Sequence, residues 1–399
     1  MLPETRKKVR KIKRLPVYFN MKQKFIQAAA GCKKQKTTYG GIVMSKVWFS
    51  SLEDNAKHEV VSAKLAGLYK AAGFERIFEK DEFVAVKIHF GEKNNTGHIK
   101  PQWIKPLLDT VKKNKSKLFL TDTNTLYLGE RQNSIDHIIQ AHKHGFGMDA
   151  LGVPVIIADG LLSKNYSEVP VGGECFETVK IANDILHSHC LVVLSHVTGH
   201  ILTGMGAAIK NLAMGTAPRS GKQIQHSDVR PQVKAEKCRA CGLCIEWCPK
   251  DAIRIYDGAA RIDTEKCYGC GECIATCRYQ AIRHSFKDTS GELQKKMAEY
   301  ALGAVKGKRD KCCYFNFLTH VTKECDCMNK AQDKVTGDIG ILASYDPVAI
   351  DKASADLLRE KNKGDLFKKL WPENDYSLQI KHAEKLGLGS GSYELVWVD

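Results

Sequence analysis

The sequence predicts an α/β protein, a mostly parallel sheet domain interrupted by a smaller inserted α+β domain. Three observations predict it. Strand and helix patterns alternate from Met44 to about Arg230, which implies parallel strands covered by helices. A cysteine-rich segment then breaks the pattern and repeats at a constant offset of 29, aligning Lys237 with Lys266, Gly242 with Gly271 and Ala252-Ile-Arg254 with Ala281-Ile-Arg283. Beyond it the strand and helix pattern resumes at Asp338. The expected divisions are a basic leader at 1–43, the α/β domain at 44–230 and again at 287–399, and the insert at 231–286. With 399 residues, 43% of them hydrophobic, the chain can bury a full core.

Residues 1–43 hold 12 Lys and Arg against one acid, Glu4, and so carry +11 of the net charge of +16. Everything from Met44 onward sums to +5, with no basic stripe interleaved with aromatics, so nucleic-acid binding by the folded part is not expected. The leader lacks apolar periodicity, whereas Met44-Ser-Lys-Val-Trp-Phe-Ser50 begins a strand at once. Met44 is therefore the expected start, and the GGN-GGN codons of Gly40-Gly41 can spell a ribosome-binding site just ahead of it. A basic, acid-poor transit peptide and a disordered basic arm are the competing readings. No apolar run approaches the length of a membrane span, and there is no secretory segment or twin-arginine pair, so a cytoplasmic protein with reduced thiols is expected.

In chain order, the α/β pattern gives a strand at Lys46–Phe49, a helix at His58–Ala72, a strand at Phe83–His89 and a helix starting at Pro101. A strand at Lys117–Thr121, a helix at Ile135–His144 and strands at Pro154–Ala158 and Leu191–Ser195 follow. After the insert, Asp338–Ser344 reads as a strand, and Asp346-Pro347 supplies an N-cap and a first-turn proline for a helix with Ile350, Ala353 and Leu357 on one face.

Polar chemistry recurs just beyond the strand ends. Lys87 and His89 share one face at the end of the second strand, Asp122 lies among hydroxyls and amides at the end of the third, and His196 and His200 follow Ser195. Ligand sites in parallel α/β sheets form at such carboxyl ends, so these residues are expected to share one cleft. Taken singly, each has a plainer reading as a turn residue, helix cap or locally bonded histidine. The stretch Thr203-Gly-Met-Gly-Ala-Ala-Ile-Lys-Asn-Leu212 places glycines ahead of a helix that carries Lys210 and Asn211. Backbone amides there can hold an anion with Lys210 as counter-charge, or the small residues can serve tight packing.

The insert holds two runs, Cys238, Cys241, Cys244 and Cys248, then Cys267, Cys270, Cys273 and Cys277. Each has the bacterial spacing for a cubane iron–sulfur cluster, in which the fourth cysteine of a run ligates the other cluster. One 4Fe-4S cluster is thus expected on Cys238, Cys241, Cys244 and Cys277, and a second on Cys267, Cys270, Cys273 and Cys248. The alternatives are two zinc sites or a disulfide framework, but zinc is satisfied by paired CxxC units and does not need the third cysteine of each run. Arg278, where the first run has Pro249, places a cation beside Cys277. Outside these runs, Cys325 and Cys327 flank an acid and, if extended, face one side, so they read as an extra metal site, a redox pair or ordinary thiols.

At Lys87-Ile-His-Phe-Gly-Glu92, Thr121-Asp-Thr-Asn-Thr-Leu-Tyr127, Val155-Ile-Ile-Ala-Asp-Gly160, Ser195-His-Val-Thr-Gly-His200, Gly206-Ala-Ala-Ile-Lys-Asn-Leu212, Glu324-Cys-Asp-Cys327 and Asp338-Ile-Gly-Ile-Leu-Ala-Ser344, the chain resembles the domain of unknown function family 362. The form it resembles carries a two-cluster ferredoxin insert. The resemblance implies a 4Fe-4S protein of anaerobic-type metabolism and names no substrate. The resulting expectation is an iron–sulfur electron-transfer protein that exchanges electrons with a redox partner protein and with a small anionic substrate or cofactor. His89, Asp122, His196 and His200 are its candidate catalytic residues, and Lys87, Lys210 and Asn211 its candidate anion site. The rival is a non-enzymatic electron carrier or metal-handling module that docks on an enzyme, with the strand ends as its interface. A deep cleft favours the first and a flat surface the second.

Overall fold

The computed structural model describes residues 37–399 apart from 40–41, 128, 227–230, 268 and 284–289. Of the expected leader at 1–43, residues 1–36 lie outside the described residues, whereas Thr37–Tyr39 pairs antiparallel with a strand that already begins at Ile42, so the expected boundary at Met44 is corrected: sheet pairing starts ahead of it. β1 (Thr37–Tyr39) and β2 (Ile42–Ser51) open the described chain. α1 (His58–Ala72) ends at Gly73, whose φ of 69° forms a left-handed cap. β3 (Phe83–Ile88) leads to α2 (Pro101–Lys112), which starts on a proline at its first turn. β4 (Lys117–Asp122) is followed by α3 (Ser134–Lys143), capped by the Asn133 side chain, which accepts from the Ile135 and Asp136 amides, and by β5 (Val155–Ile157).

A hairpin of β6 (Tyr166–Pro170) and β7 (Thr178–Ala182) precedes β8 (Cys190–His196), and β9 (Thr198–His200) pairs with β10 (Gly204–Gly206) ahead of α4 (Ala208–Thr216) and α5 (Arg219–His226). Within the next stretch, β11 (Gln232–Val233) pairs with β14 (Ile282–Arg283), and β12 (Ile253–Tyr256) with β13 (Ala259–Ile262). Two short helices, α6 (Leu243–Glu246) and α7 (Glu272–Thr276), occupy equivalent places in the two repeats. Each follows a glycine in the left-handed region, Gly242 at φ 78° and Gly271 at φ 72°, a conformation that side chains with a Cβ resist. α8 (Ser290–Ala304), β15 (Cys312–Leu318), β16 (Gly340–Ser344) and α9 (Pro347–Lys361) follow, and after two further helices at Leu366–Leu370 and Ser377–Lys385 the last strand is β17 (Tyr393–Trp397).

Nine strands form one sheet in the order β1-β2-β16-β15-β8-β3-β4-β5, with β17 pairing β2. β15, β8, β3, β4 and β5 run parallel, as does β17 on β2. β16 runs antiparallel to both β15 and β2, so the strand at Asp338–Ser344 enters the sheet opposite to the parallel sense that the alternating pattern implies. Its reversal follows from β15, whose end connects to β16 by a loop rather than a crossover helix. β15 itself, Cys-Cys-Tyr-Phe-Asn-Phe-Leu, escapes the pattern because it is buried on both faces and shows no alternation.

The sheet lies between two apolar layers. Val84, Val86, Ile88, Val192, Leu194, Phe315 and Phe317 face α1 and α2. Ala85, Leu191, Val193, Tyr314 and Leu342 face a layer built by α4, α8 and α9. That period of two puts Lys87 and His89 on the α4 side. No described helix is long and apolar enough to cross a membrane.

Candidate functional site

The strand order changes direction at β3: the chain moves to β4 and β5 on one side, then returns to lay β8 on the other. A crevice forms at the carboxyl ends of strands where such a switch occurs. A cavity of about 510 Å³ opens there, and Lys87, His89, Asp122, His196, His200, Lys210, Asn211, Cys325 and Cys327 all line it. Residues chosen from separate strand ends thus meet in one place.

Register places Lys87 beside Thr121 of β4 and Val193 of β8, under α4. Its ammonium sits 2.9 Å from Asp122 Oδ1 and donates to Asn211 Oδ1 at 2.7 Å. Asn211 in turn donates to Leu194 O at 2.9 Å and Ser195 Oγ at 3.0 Å. Arg131, fully buried, reaches Asp122 Oδ2 and Glu92 Oε2, each at 3.3 Å. Lys222 on α5 donates to Thr123 Oγ1, Asn124 O and Ala217 O at 2.5, 2.7 and 2.9 Å. Burial works against the Asp122 charge, but Lys87, His137, Arg131 and Lys222 outweigh it and hold the carboxyl below its usual range. Burial pulls the Lys87 pKa down, and Asp122 offsets this only in part. The partners shift in senses that oppose one another energetically: the ring of cations favours the ionised Asp122 carboxylate, and that carboxylate, 2.9 Å away, is what favours the charge on Lys87 against burial, Arg131 and Lys210.

The three histidines differ. His89 Nδ1 accepts from the Gly91 amide at 3.0 Å, and His200 Nδ1 accepts from the Leu202 and Thr203 amides, each at 3.2 Å. Both rings therefore carry their proton on Nε2. Burial, then Arg131, Lys87 and Lys210, holds the His89 pKa well below normal, and burial with Lys210 and His226 does the same for His200. Both are neutral donors facing a cationic cleft. His196 is otherwise engaged, with Nδ1 2.9 Å from Asp326 Oδ2 and Nε2 2.8 Å from Thr319 O. Both partners are acceptors, so both nitrogens act as donors; burial opposes the charge this implies, and Asp326 raises the pKa on balance. His196, a candidate catalytic residue, lines the cavity and at the same time ties down the Asp326 loop.

One correction concerns α4. The Ala208 and Ile209 amides donate to the Asp351 carboxylate at 2.8 and 2.9 Å, so a carboxylate of the chain already fills the helix start. Lys210 instead serves the cleft, where burial works against its charge and the thiols of Cys325 and Cys327 outweigh burial to raise its pKa. Those sulfurs lie 2.7 Å apart.

The eight cysteines of the insert gather in two crossed sets. Cys248 of the first run lines one small pocket with Cys267, Cys270 and Cys273 of the second. Burial, then the neighbouring Cys277, Cys238 and Cys241, pushes the Cys244 thiol up to about 11. The Ala240 and Ala260 amides donate to Cys238 Sγ at 3.4 and 3.3 Å, and Ala252 and Ala281, equivalent in the repeat, donate to Cys248 and Cys277 Sγ at 3.2 and 3.3 Å. Amide donors aimed at sulfur suit thiolates, the form in which cysteine binds iron. Among the described residues, no three His, Cys, Asp or Glu side chains close on a single point as one metal ion requires. A fit to a multinuclear group therefore rests on the crossed sets and their amides.

The module packs directly on the cleft wall. An added Cβ at Gly271 would lie 2.5 Å from Gln223 Cβ on α5, Arg219 donates to Ala275 O at 3.2 Å, and Lys180 Nζ lies 2.7 Å from Glu272 Oε1. Leu126 belongs to the apolar cluster of Cys244 and Cys273 and also lines the cavity. Arg131, Lys222 and Tyr127 were not among the candidate site residues read from the sequence, although Tyr127 ends one of the segments that carry the family resemblance. Arg131 sits in a polar loop with no pattern, and α5 (Arg-Ser-Gly-Lys-Gln-Ile-Gln-His) has no apolar stripe although it is buried. Its mostly polar composition, with Ile224 its one large apolar residue, next to the cysteine runs was the available signal.

Fold and site together define a class: an α/β protein whose parallel strands end in a cationic, ligand-sized cleft backed by a cysteine-rich module. Within it, the chain belongs to the family described as Domain of unknown function (DUF362), whose model matches residues 84–356. No curated protein matches the chain. Among solved structures, the lactate racemase apoprotein from Thermoanaerobacterium thermosaccharolyticum aligns at 12% identity over 67% of this chain and 50% of that one, with a TM-score of 0.36. A structural-genomics protein from Thermotoga maritima aligns at 10% identity over 84% of this chain and 60% of that one, with a TM-score of 0.39. The chain thus spans half to three-fifths of the length of these two structures.

Proposed function

We propose that this chain is an iron–sulfur electron-transfer protein whose α/β cleft takes a small anionic substrate or cofactor. Cys238, Cys241, Cys244 and Cys277 would hold one 4Fe-4S cluster, and Cys267, Cys270, Cys273 and Cys248 the other. Such clusters, when bound, supply and accept single electrons. The observation that carries the reading is Leu126, one side chain that touches the Cys244 and Cys273 neighbourhood on one side and the cavity on the other. In the cleft, Lys210 offers charge to an anion while Lys87 and Arg131 stay committed to Asp122. His89 and His200 present Nε2–H donors, with Nδ1 fixed by backbone amides. Trp247 and Tyr279, both exposed, flank Cys248 and Cys277 and suit the docking of a redox partner protein.

The test is anaerobic reconstitution, which should give about eight irons and eight sulfides per chain. Cys277→Ser should damage the cluster of the Cys238 run. His89→Ala and His200→Ala should keep iron content and chemical reduction while slowing delivery to an acceptor by about ten to ten-thousand fold. Zinc without sulfide would overturn the reading.

A further inference from the structure

Apart from Cys175, in the loop between β6 and β7, the described thiols outside the insert fall into two environments. Cys190, Cys312 and Cys313 lie on β8 and β15 among apolar side chains, where burial pushes each thiol up. Cys325 and Cys327 instead line the cavity, on a loop fixed by the Met328 amide donating to Cys325 O at 3.1 Å and by the His196–Asp326 pair at 2.9 Å. That pair matters for charge, because it ties the acid between the two cysteines to a histidine.

We propose that Cys325 and Cys327 are a redox-active dithiol of the cleft that reduces a small anionic disulfide. Their sulfurs are already 2.7 Å apart, so ring closure needs little backbone movement. In the first step the Cys327 thiolate attacks one sulfur of the bound disulfide, forming a mixed disulfide and releasing one thiolate. Cys325, losing its proton, then attacks Cys327 Sγ and releases the second. The balance is a dithiol plus R–S–S–R giving the protein disulfide plus two R–SH. Return to the dithiol takes two electrons and two protons, and this half alone rests on the proposed iron–sulfur centres as donors.

Three features fit the direction of attack. The Cys325 thiol as donor, then Lys210 and Arg131, hold the Cys327 sulfur toward thiolate despite its burial, and a thiolate is the attacking species. Lys210 lines the same cavity and offers charge to an anionic disulfide. The opening, about 510 Å³, accommodates a small molecule and not a folded protein.

The segment Glu324-Cys-Asp-Cys-Met-Asn-Lys330 follows Lys323, so trypsin releases both cysteines in one peptide free of cluster ligands. Holoprotein is equilibrated anaerobically with glutathione disulfide, the anionic probe, or cystamine, the cationic one, then alkylated and digested. The expected result is a peptide about two mass units lighter with no alkyl groups, forming at least ten times faster with glutathione disulfide, and a preference for that probe that Lys210→Met removes. Cys325→Ser should stop at a mixed disulfide with glutathione on Cys327. Iron and sulfide content, measured in the same samples, should not change with Cys325→Ser. A peptide that stays fully alkylated across oxidising glutathione buffers while iron and sulfide are at full content would overturn the dithiol and leave the electron-transfer reading standing. Disulfide closure in a protein that carries no sulfide would do the reverse.

Discussion

Replacing Asp122 with alanine would remove the carboxylate that compensates the most enclosed cations of the cleft. Lys87 Nζ lies 2.9 Å from Oδ1 with side-chain exposures of 1% and 4%, and Arg131 Nη1 lies 3.3 Å from Oδ2 with the same exposures. Deleting one partner of a buried pair costs about 3–5 kcal/mol, because the charge left behind loses its counter-ion without regaining water. Lys87 keeps the Asn211 oxygen and Arg131 keeps Glu92, which places the loss at the low end, about 3 kcal/mol. The assay is urea unfolding of the wild type, Asp122→Ala and Asp122→Asn. Asparagine preserves shape and should recover less than half of the loss, since charge is the quantity removed. The pH dependence has a definite sign. Because the folded pKa of Asp122 is lowered, its contribution is full above the ordinary aspartate value of about 4 and disappears as pH falls through the folded value. The gap between wild type and Asp122→Asn should therefore narrow on acidification below about pH 4. Equal unfolding midpoints at pH 7 would refute the electrostatic account, and so would a gap that widens toward low pH. Activity lost by Asp122 variants consequently carries a stability component that unfolding measurements on the same variants separate from chemistry.

Asp346→Ala should cost about 2–3 kcal/mol, more than the 1 kcal/mol or so of an ordinary cap. Besides capping α9 through Val348 and Ala349, its carboxylate accepts from Ser45 Oγ at 2.6 Å and Ser390 N at 2.8 Å, which a thermal or urea midpoint would register. Gly215→Ala should lower stability by about 1–3 kcal/mol, the usual range for overpacking. Its Cβ would sit 2.4 Å from Lys87 Cε and 2.5 Å from Nζ, so a variant that unfolds with the wild type would show that Lys87 has room to move.

Much of the sheet was legible because its strands are short apolar runs whose period is local. Phe83–Ile88 and Lys117–Asp122 fall within a residue or so of their expected ends, and His58–Ala72 matches at both. The sense of β16 was not legible, since direction depends on which neighbour a strand meets across the sheet and not on its own residues. Likewise the amides at the start of α4 looked open to an anion in the sequence. Asp351, 143 residues further on, fills them, and a partner at such distance in sequence is set by packing alone.

By itself the sequence determined the repeat at 29 residues, the thiol spacing and the polar residues at each strand end, because these are properties of neighbours along the chain. Tertiary structure decided what those residues face. Strand order and register brought Lys87, Asp122 and Lys210 to one cavity, gave His196 to Asp326, and buried Arg131 and the polar helix α5 between cleft and thiols. The physical reason is that charge and hydrogen-bonding capacity are written in composition, whereas desolvation and the identity of a counter-charge exist only once distant segments exclude water between them.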